Sequence, residues 1–154
     1  MMRQNYLDNQ VLVNPVLAIS AGSSPLAKTT NAFNYTVGGS VFTKAAGNLP
    51  ALTTAGTTTV AAGSQIIYSV YIDNLGNYTL KQGNITTVTA GVTSADLPTQ
   101  PTVTVTNNTN TVLGYTLVGI IHVVNATNPF IPGTTALDAA GVTVYYSNSL
   151  VLGL

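Results

Sequence analysis

The chain has 154 residues, of which 5% are charged, and its formal net charge is zero. Ordinary soluble domains carry roughly 25% charged residues, so the polar surface must come mainly from Thr, Ser, Asn and Gly. The chain has no cysteine, which excludes disulfides, thiolate metal ligands and thiol catalysis. Nucleic acid is not expected as a partner, because the scattered cations cannot form a basic stripe; these cations are Arg3, Lys28, Lys44 and Lys81.

The composition favours strands along the whole chain. Thr, Val, Ile and Tyr are abundant, and Gly, Pro and Asn interrupt the sequence too often for long helical patterns. We therefore predict an all-β fold, either an antiparallel β-sandwich or a jelly roll. No stretch approaches the roughly 20 apolar residues of a membrane span, so no membrane partner is expected.

Residues 1–30 are predicted to form an extended N-terminal arm ahead of a β-sandwich domain at residues 31–154. Pro15 and Pro25 interrupt this segment, and SAGSSP (20–25) has the composition of a flexible joint. We expect the arm to lie across a neighbouring subunit and to add a strand to an exposed sheet edge. Its apolar side chains would fill pockets there; they are Val11, Val13, Val16, Leu17 and Ile19.

The stretch NAFNYTVGGSVFTKAA (31–46) predicts a β-hairpin. A two-residue turn at Gly38 and Gly39 supplies the positive φ angles that such turns need. This turn sets Tyr35 opposite Phe42 and Val37 opposite Ser40. The other face, with Asn34 and Thr36, is then expected to be a neutral surface beside another subunit, and Lys44 is expected to point to solvent.

A second hairpin is predicted in QIIYSVYIDNLGNYTLKQG (65–83). A two-residue loop would set Tyr71 opposite Leu80, whereas a three-residue loop at residues 74–76 sets Ile72 opposite Tyr78 and Val70 opposite Leu80. We predict the three-residue loop, because it sets apolar residues opposite apolar residues. Gly76 is then expected to have a left-handed backbone conformation.

Further strands are predicted at residues 84–91, 101–107, 112–124 and 141–152. Both faces of the 112–124 run are apolar, which indicates a central strand or one covered by a neighbouring subunit. We place His122 on the face of this strand shared with Val118, Ile120 and Val124.

The sequence shows no catalytic or metal-binding constellation. His122 is the only imidazole and has neither a second His nor a Glu to work with, so a hydrogen-bonded core or interface histidine is the favoured interpretation. The carboxylates are expected to cap local backbone amides; they are Asp8, Asp73, Asp96 and Asp138. We expect neither an enzyme nor a bound cofactor or metal.

Tyrosines at neighbouring strand positions are the remaining candidate functional residues. At least some of them must face away from the core, where Tyr serves interfaces or stacks on sugars. Burial in an interface is the first choice; the residues are Tyr68, Tyr71, Tyr145 and Tyr146.

Three stretches resemble small bacteriophage virion proteins, namely the capsid decoration (cement) proteins and the related head-fibre type. They are LAISAGSSPLAKTTNAFNYTVGGSVFTKAA (17–46), IIYSVYIDNLGNYTLKQGN (66–84) and LVGIIHVVNATNPFIPGTTALDAAGVTVYY (117–146). The chain lacks a coiled-coil or fibre repeat, which argues against a fibrous role.

The resemblance implies a non-enzymatic protein on the outer surface of the virion, often a homotrimer, that clamps neighbouring major capsid subunits. It supplies no catalytic residues. A receptor- or carbohydrate-binding virion spike is the second hypothesis, and an extracellular adhesin or hydrolase domain is a distant third.

Overall fold

The computed structural model describes residues 9–88 and 114–149 of the chain. In these ranges the regular structure is antiparallel β, apart from one 3₁₀ turn at Leu52–Thr54. The all-β, antiparallel prediction is thus confirmed, and the arrangement is sandwich-like. The strands are β1 (Gln10–Val11), β2 (Leu17–Ile19), β3 (Ala27–Thr29), β4 (Phe33–Val37), β5 (Ser40–Lys44), β6 (Gly47–Asn48), β7 (Ser64–Ile72), β8 (Tyr78–Gln82), β9 (Thr86–Thr87), β10 (Thr116–Asn125) and β11 (Val142–Asn148).

The strands form one large sheet and two small ones around a shared core. The large sheet has the order β11-β10-β7-β8, with β9 also paired to β7. The small sheets have the orders β1-β4-β5 and β2-β3-β6. Side chains from all three sheets meet in one hydrophobic cluster, which includes Phe33, Leu17 and Ile121. No helix in the described ranges is long and apolar enough to cross a membrane.

Strand β7 is the most deeply buried element of the large sheet. Its eight residues from Gln65 to Ile72 are all buried, so both of its faces are covered. Alternate residues such as Tyr68 and Val70 point into the shared core, and Ser69 on the opposite face is equally inaccessible. Burying one large apolar side chain contributes about 1.5–3 kcal/mol, which makes this strand a major source of stability.

Strand β10 lies between β7 and β11, in agreement with the predicted central strand within 112–124. A β-bulge shifts its register with β7 between Leu117 and Gly119. The extra residue places Val118 in the core, whereas His122 faces away from the core and is only half-buried. The prediction that Val118 and His122 share one face is therefore wrong.

Both predicted hairpins are confirmed in register. Tyr35 pairs with Phe42 across β4 and β5, and their ring centroids are 5.7 Å apart. In the second hairpin Ile72 pairs with Tyr78, and the turn is closed by a hydrogen bond from Asp73 N to Asn77 O.

Glycines at the two turns have the positive φ angles that the sequence predicted. Gly38 and Gly39 have φ of 57° and 79°, and Gly76 has φ of 80°. Most other residue types would be strained there, so these glycines set the turn types.

Polar contacts hold the two hairpins together. The Asp73 carboxylate accepts hydrogen bonds from Leu75 N and Asn77 N, as predicted for a local cap. The Tyr35 hydroxyl donates to Asp73 O, and Lys44 Nζ donates to Gly76 O at 2.8 Å. Lys44 therefore ties the hairpins together instead of pointing freely to solvent, and this corrects the prediction for its side chain.

The neutral face predicted for the first hairpin is also largely internal. Thr36 is buried, and the Thr116 hydroxyl donates to its carbonyl oxygen. Asn34 is half-buried and accepts a hydrogen bond from the Thr43 hydroxyl. Packing of β10 against β4 thus covers a surface that was predicted to contact another subunit.

The described part of the predicted N-terminal arm, residues 9–30, is folded into the domain. Strand β1 pairs with β4, and β2 and β3 pair with each other. Leu17 N also donates to the side chain of Asn148, which ties β2 to β11. The predicted boundary between residues 30 and 31 therefore does not separate an arm from a sandwich; residues 1–8 lie outside the described ranges.

A second long-range contact fixes the loop between β2 and β3. Both carboxylate oxygens of Asp138 accept a hydrogen bond from Ser23 N, at 2.9 and 3.0 Å. Asp138 thus caps a distant amide, whereas the sequence predicted a local one. Asp8 and Asp96 lie outside the described residues.

Val16 has an unusual backbone conformation for a β-branched residue. Its φ is +50°, in the left-handed region. The conformation is held by hydrogen bonds from Val16 N to the Asn14 side chain and from Thr30 N to Val16 O. Strain of this kind costs about 1–3 kcal/mol, and the surrounding bonds maintain it.

Replacement of Val16 by glycine is expected to stabilise the protein. Val16→Gly relieves the positive-φ strain at the cost of a more flexible unfolded chain, for a net gain of about 1 kcal/mol in the free energy of unfolding. The matched control is Ala18→Gly in β2, where φ is not positive and a loss of about 0.5–1 kcal/mol is expected. Equilibrium urea unfolding measures both. Equal destabilisation by the two substitutions would show that Val16 is not strained.

Candidate interaction surface

The outer face of the large sheet is the side whose residues point away from the shared core. Register places three of its residues side by side across β7, β10 and β11, namely Ile67, His122 and Tyr145. Ile67 is buried, His122 is half-buried and Tyr145 is 57% exposed. Exposure thus increases toward β11, and Tyr145 is the most accessible aromatic group on this face.

His122 is held between a glutamine and a tyrosine. Its Nε2 lies 2.9 Å from Gln65 Oε1, and its ring centroid is 5.7 Å from that of Tyr145, with the planes 40° apart. With Gln65 Oε1 as the acceptor, Nε2 carries the hydrogen and donates it. Burial lowers the pKa of His122, so the ring is neutral near pH 7. The prediction of a hydrogen-bonded core or interface histidine agrees with this geometry.

The four candidate tyrosines divide between the two faces of the large sheet. Tyr68 is fully buried in the core, and Tyr146 is half-buried against it. Burial raises the pKa of both hydroxyls, that of Tyr146 to about 12 with a further contribution from Asp138. Tyr71 faces outward but is buried. Of the four, Tyr145 alone is exposed, so the interface assignment of Tyr68 and Tyr71 is corrected.

The candidate residues of the N-terminal segment are not grouped on a surface. Val11 and Leu17 belong to the core, and Ile19 packs against it. Val16 is half-buried, and Val13 is 45% exposed. Pairing of β1 and β2 inside the domain is the physical reason, because it turns these side chains toward the chain's own core. The expectation that they fill pockets in a neighbouring subunit is therefore wrong for Val11 and Leu17, whereas for the partly accessible Ile19 it stays a prediction.

Charged groups are sparse around the outer face. Lys81 on β8 lies beside Ser69 in register and is exposed. The carboxylates of Asp73 and Asp138 are used to cap backbone amides. In the part of the chain that the structure describes, no group of three or more His, Asp or Glu residues could hold a metal ion. Besides the ammonium group of Lys81, the face offers an aromatic ring and neutral hydrogen-bonding groups.

A shallow cavity lies where β10 and β11 approach the end of the sheet. Its volume is about 190 Å³, below the roughly 300–1,000 Å³ typical of small-molecule sites. The lining is mostly apolar with neutral polar groups: Leu117, Gly119, Ile120, Ser147, Asn148 and Ser149.

No protein-family model, curated protein or solved structure matches the chain.

Sequence reasoning missed Gln65 as the partner of His122. The two residues are 57 positions apart, and their contact depends on the register of β7 with β10. The alternation QIIYS placed Gln65 on a strand, but no local signal showed which strand lay beside it.

The neutral state of His122 predicts a loss of stability in acid. Because the folded-state pKa is lowered, the unfolded chain binds the proton more strongly, and stability falls as pH decreases below about 6.5. His122→Gln is expected to remove this dependence between pH 5 and 6.5, a range above the pH of about 4 at which carboxylates ordinarily titrate.

Urea unfolding of both proteins across this pH range measures the effect, with pH 8 as the reference for each. The two stability curves are expected to separate as the pH falls. Parallel curves would show that His122 has the same pKa in the folded and unfolded chains.

Proposed function

We propose that this chain is a non-enzymatic virion structural protein. It binds the outer surface of a bacteriophage capsid and stabilises contacts between major capsid subunits, as a decoration or cement protein does. The resemblance of three long stretches to such proteins supports this proposal. Assembly as a homotrimer is an expectation from the same resemblance.

The observation that carries the proposal is the neutral surface of a charge-poor fold. Five charged residues fall in the described ranges, and Lys44, Asp73 and Asp138 make hydrogen bonds within the fold. Lys28 and Lys81 are the remaining two. Burying a charge in an interface costs several kcal/mol unless it is paired, whereas hydroxyl and amide groups are easier to satisfy. A neutral surface is therefore suited to permanent contact with another protein.

The exposed part of the outer face, around Tyr145 on β11, is the proposed contact with the capsid. Tyr145 provides an exposed aromatic group next to His122, and aromatic residues are enriched at protein interfaces. Val11 and Leu17 of the N-terminal segment are not proposed for this contact, because they belong to the core of the domain itself.

Capsid binding is expected to depend on Tyr145 and to be nearly independent of salt. In a sedimentation assay with undecorated capsids, Tyr145→Ala should lower the affinity at least about tenfold, as for a central interface aromatic. Wild-type binding should change little between 0.1 and 1 M NaCl, because few charged pairs are available for screening.

The matched control is Val41→Ala on β5, which removes another exposed apolar side chain far from the outer face in sequence and sheet. Its binding should equal that of the wild type. Release of the wild-type protein by salt would contradict the neutral contact. Equal losses for the two variants would remove the outer face from the mechanism.

A receptor- or carbohydrate-binding spike is the second candidate. The exposed ring of Tyr145, flanked by the imidazole of His122, is the observation that favours it, because sugars stack on such rings. A glycan array separates the candidates. A cement protein should bind no saccharide. A spike should bind one, and its Tyr145→Ala variant should no longer bind that saccharide.

A further inference from the structure

Strand β11 is an end strand of the large sheet. Among the residues that the structure describes, no strand pairs with its outer edge. Its sequence VTVYYSN contains no charge and no proline, and its register with β10 is continuous from Val142 to Asn148. Natural edge strands usually carry a charge, a proline or a bulge that prevents pairing with another chain. Strand β11 has none of these protective features.

The backbone groups on the outer edge can be identified from the pairing with β10. Ser149 N donates to Val118 O, and Ala126 N donates to Gly141 O. These bonds place the odd-numbered residues of β11 in hydrogen-bonded pairs with β10. The backbone groups of the even-numbered residues therefore point outward, among them those of Val144 and Tyr146.

The side chains along this edge are only half covered on the core side. Val142, Val144 and Tyr146 pack against the core but remain partly accessible. On the outer side Tyr145 is exposed at the middle of the seven-residue strand. An added strand would satisfy the free backbone groups and place its own side chains beside both rows.

We propose that a second copy of this chain pairs with β11 in antiparallel orientation, about a two-fold axis at Tyr145. In this register Val144 faces Tyr146 of the second copy, and Tyr145 faces its own counterpart. The outward backbone groups then form about six hydrogen bonds between the two strands. Val144 N and Tyr146 N each donate to the second copy; Val142 N is not needed, since it donates to Ala139 O.

Charge and side-chain chemistry favour a second copy as the occupant. A two-fold axis sets identical residues against each other, and like charges directly opposite destabilise a strand pair. An uncharged strand avoids this cost. Val144 opposite Tyr146 is an aromatic and β-branched pair of a kind that stabilises sheets. The paired sheets would share one continuous outer face, with both copies of Tyr145 at its centre.

This pairing joins two copies and is independent of any capsid partner. It does not close a ring of three, so it is an alternative to the homotrimer that the resemblance implies. Binding to a capsid does not depend on it, so its failure leaves the proposed function standing and its success does not prove that function. The mass of the free protein in solution therefore tests it directly.

The register can be tested by cysteine crosslinking, since the chain has no cysteine of its own. In Tyr145→Cys the two Cα atoms would be about 4.5 Å apart, within the disulfide range of roughly 4.4–6.8 Å. In the control Thr143→Cys they would be about 13 Å apart. With oxidised glutathione, Tyr145→Cys should become a covalent dimer and Thr143→Cys alone should not.

A second control fixes the direction of the strands. Thr143→Cys mixed with Ser147→Cys should form a covalent heterodimer, because these positions face each other in the antiparallel pair. Crosslinking of Thr143→Cys alone as fast as Tyr145→Cys, or none for Tyr145→Cys, would overturn the proposal.

Val144→Pro tests the edge without cysteine. Its N–H points away from β10, so proline removes a bond to the second copy and none within the chain. Sedimentation velocity should show a wild-type dimer and, for Val144→Pro, a dissociation constant raised at least about tenfold. A monomeric or trimeric wild-type chain would overturn the proposal.

Discussion

The fold depends on the complete burial of strand β7. A strand with both faces covered must satisfy all its backbone groups through its neighbours, since water cannot reach them. Pairing with β10 on one side and with β8 and β9 on the other does this along its length. The small sheets then cover its core side, where Tyr68 and Val70 are inaccessible. Strands β8, β9 and β10 pair with β7, and β1, β2 and β4 contact β10 or β11 beside it.

Polar side chains in this protein act mainly within the fold. Asp73 closes a hairpin, Lys44 bridges two hairpins, and Asp138 holds the loop at Ser23. In each of these contacts an ionic group forms a hydrogen bond with backbone atoms of the fold. Asp138 and Lys81 remain exposed, so the surface keeps a few charges among mainly hydroxyl, amide and apolar groups. Contacts with other proteins on such a surface depend on shape and hydrogen bonding more than on electrostatic attraction.

Elements controlled by nearby residues could be predicted from the sequence, and elements controlled by distant pairing could not. The hairpin at Gly38 and the loop ending at Gly76 follow from turn chemistry and apolar matching over fewer than 20 residues. The short strands β1 and β2 carry no such signal, so their apolar residues were assigned to a partner. The bulge at Val118 was also missed, although Gly119 inside the strand run is a local sign of a bulge, because the resulting shift in register depends on pairing with β7.

For the candidate interaction surface, too, the sequence predicted what depends on nearby residues and missed what depends on distant pairing. Alternation showed that one of Tyr145 and Tyr146 must face away from the core, but the choice between them depended on where β10 places its partner strand. The contact of His122 with Gln65 required the register of two strands from different parts of the chain.

The bond from Leu17 N to the Asn148 side chain has a consequence for biosynthesis, because it spans 131 residues. During translation β2 can form its final contacts only after nearly the whole chain has emerged from the ribosome. Long loops must close before such contacts form, and proteins dominated by them fold slowly. Strand β2 can pair with β3 early in synthesis, but Leu17 N lacks its partner on β11 until Asn148 has been made.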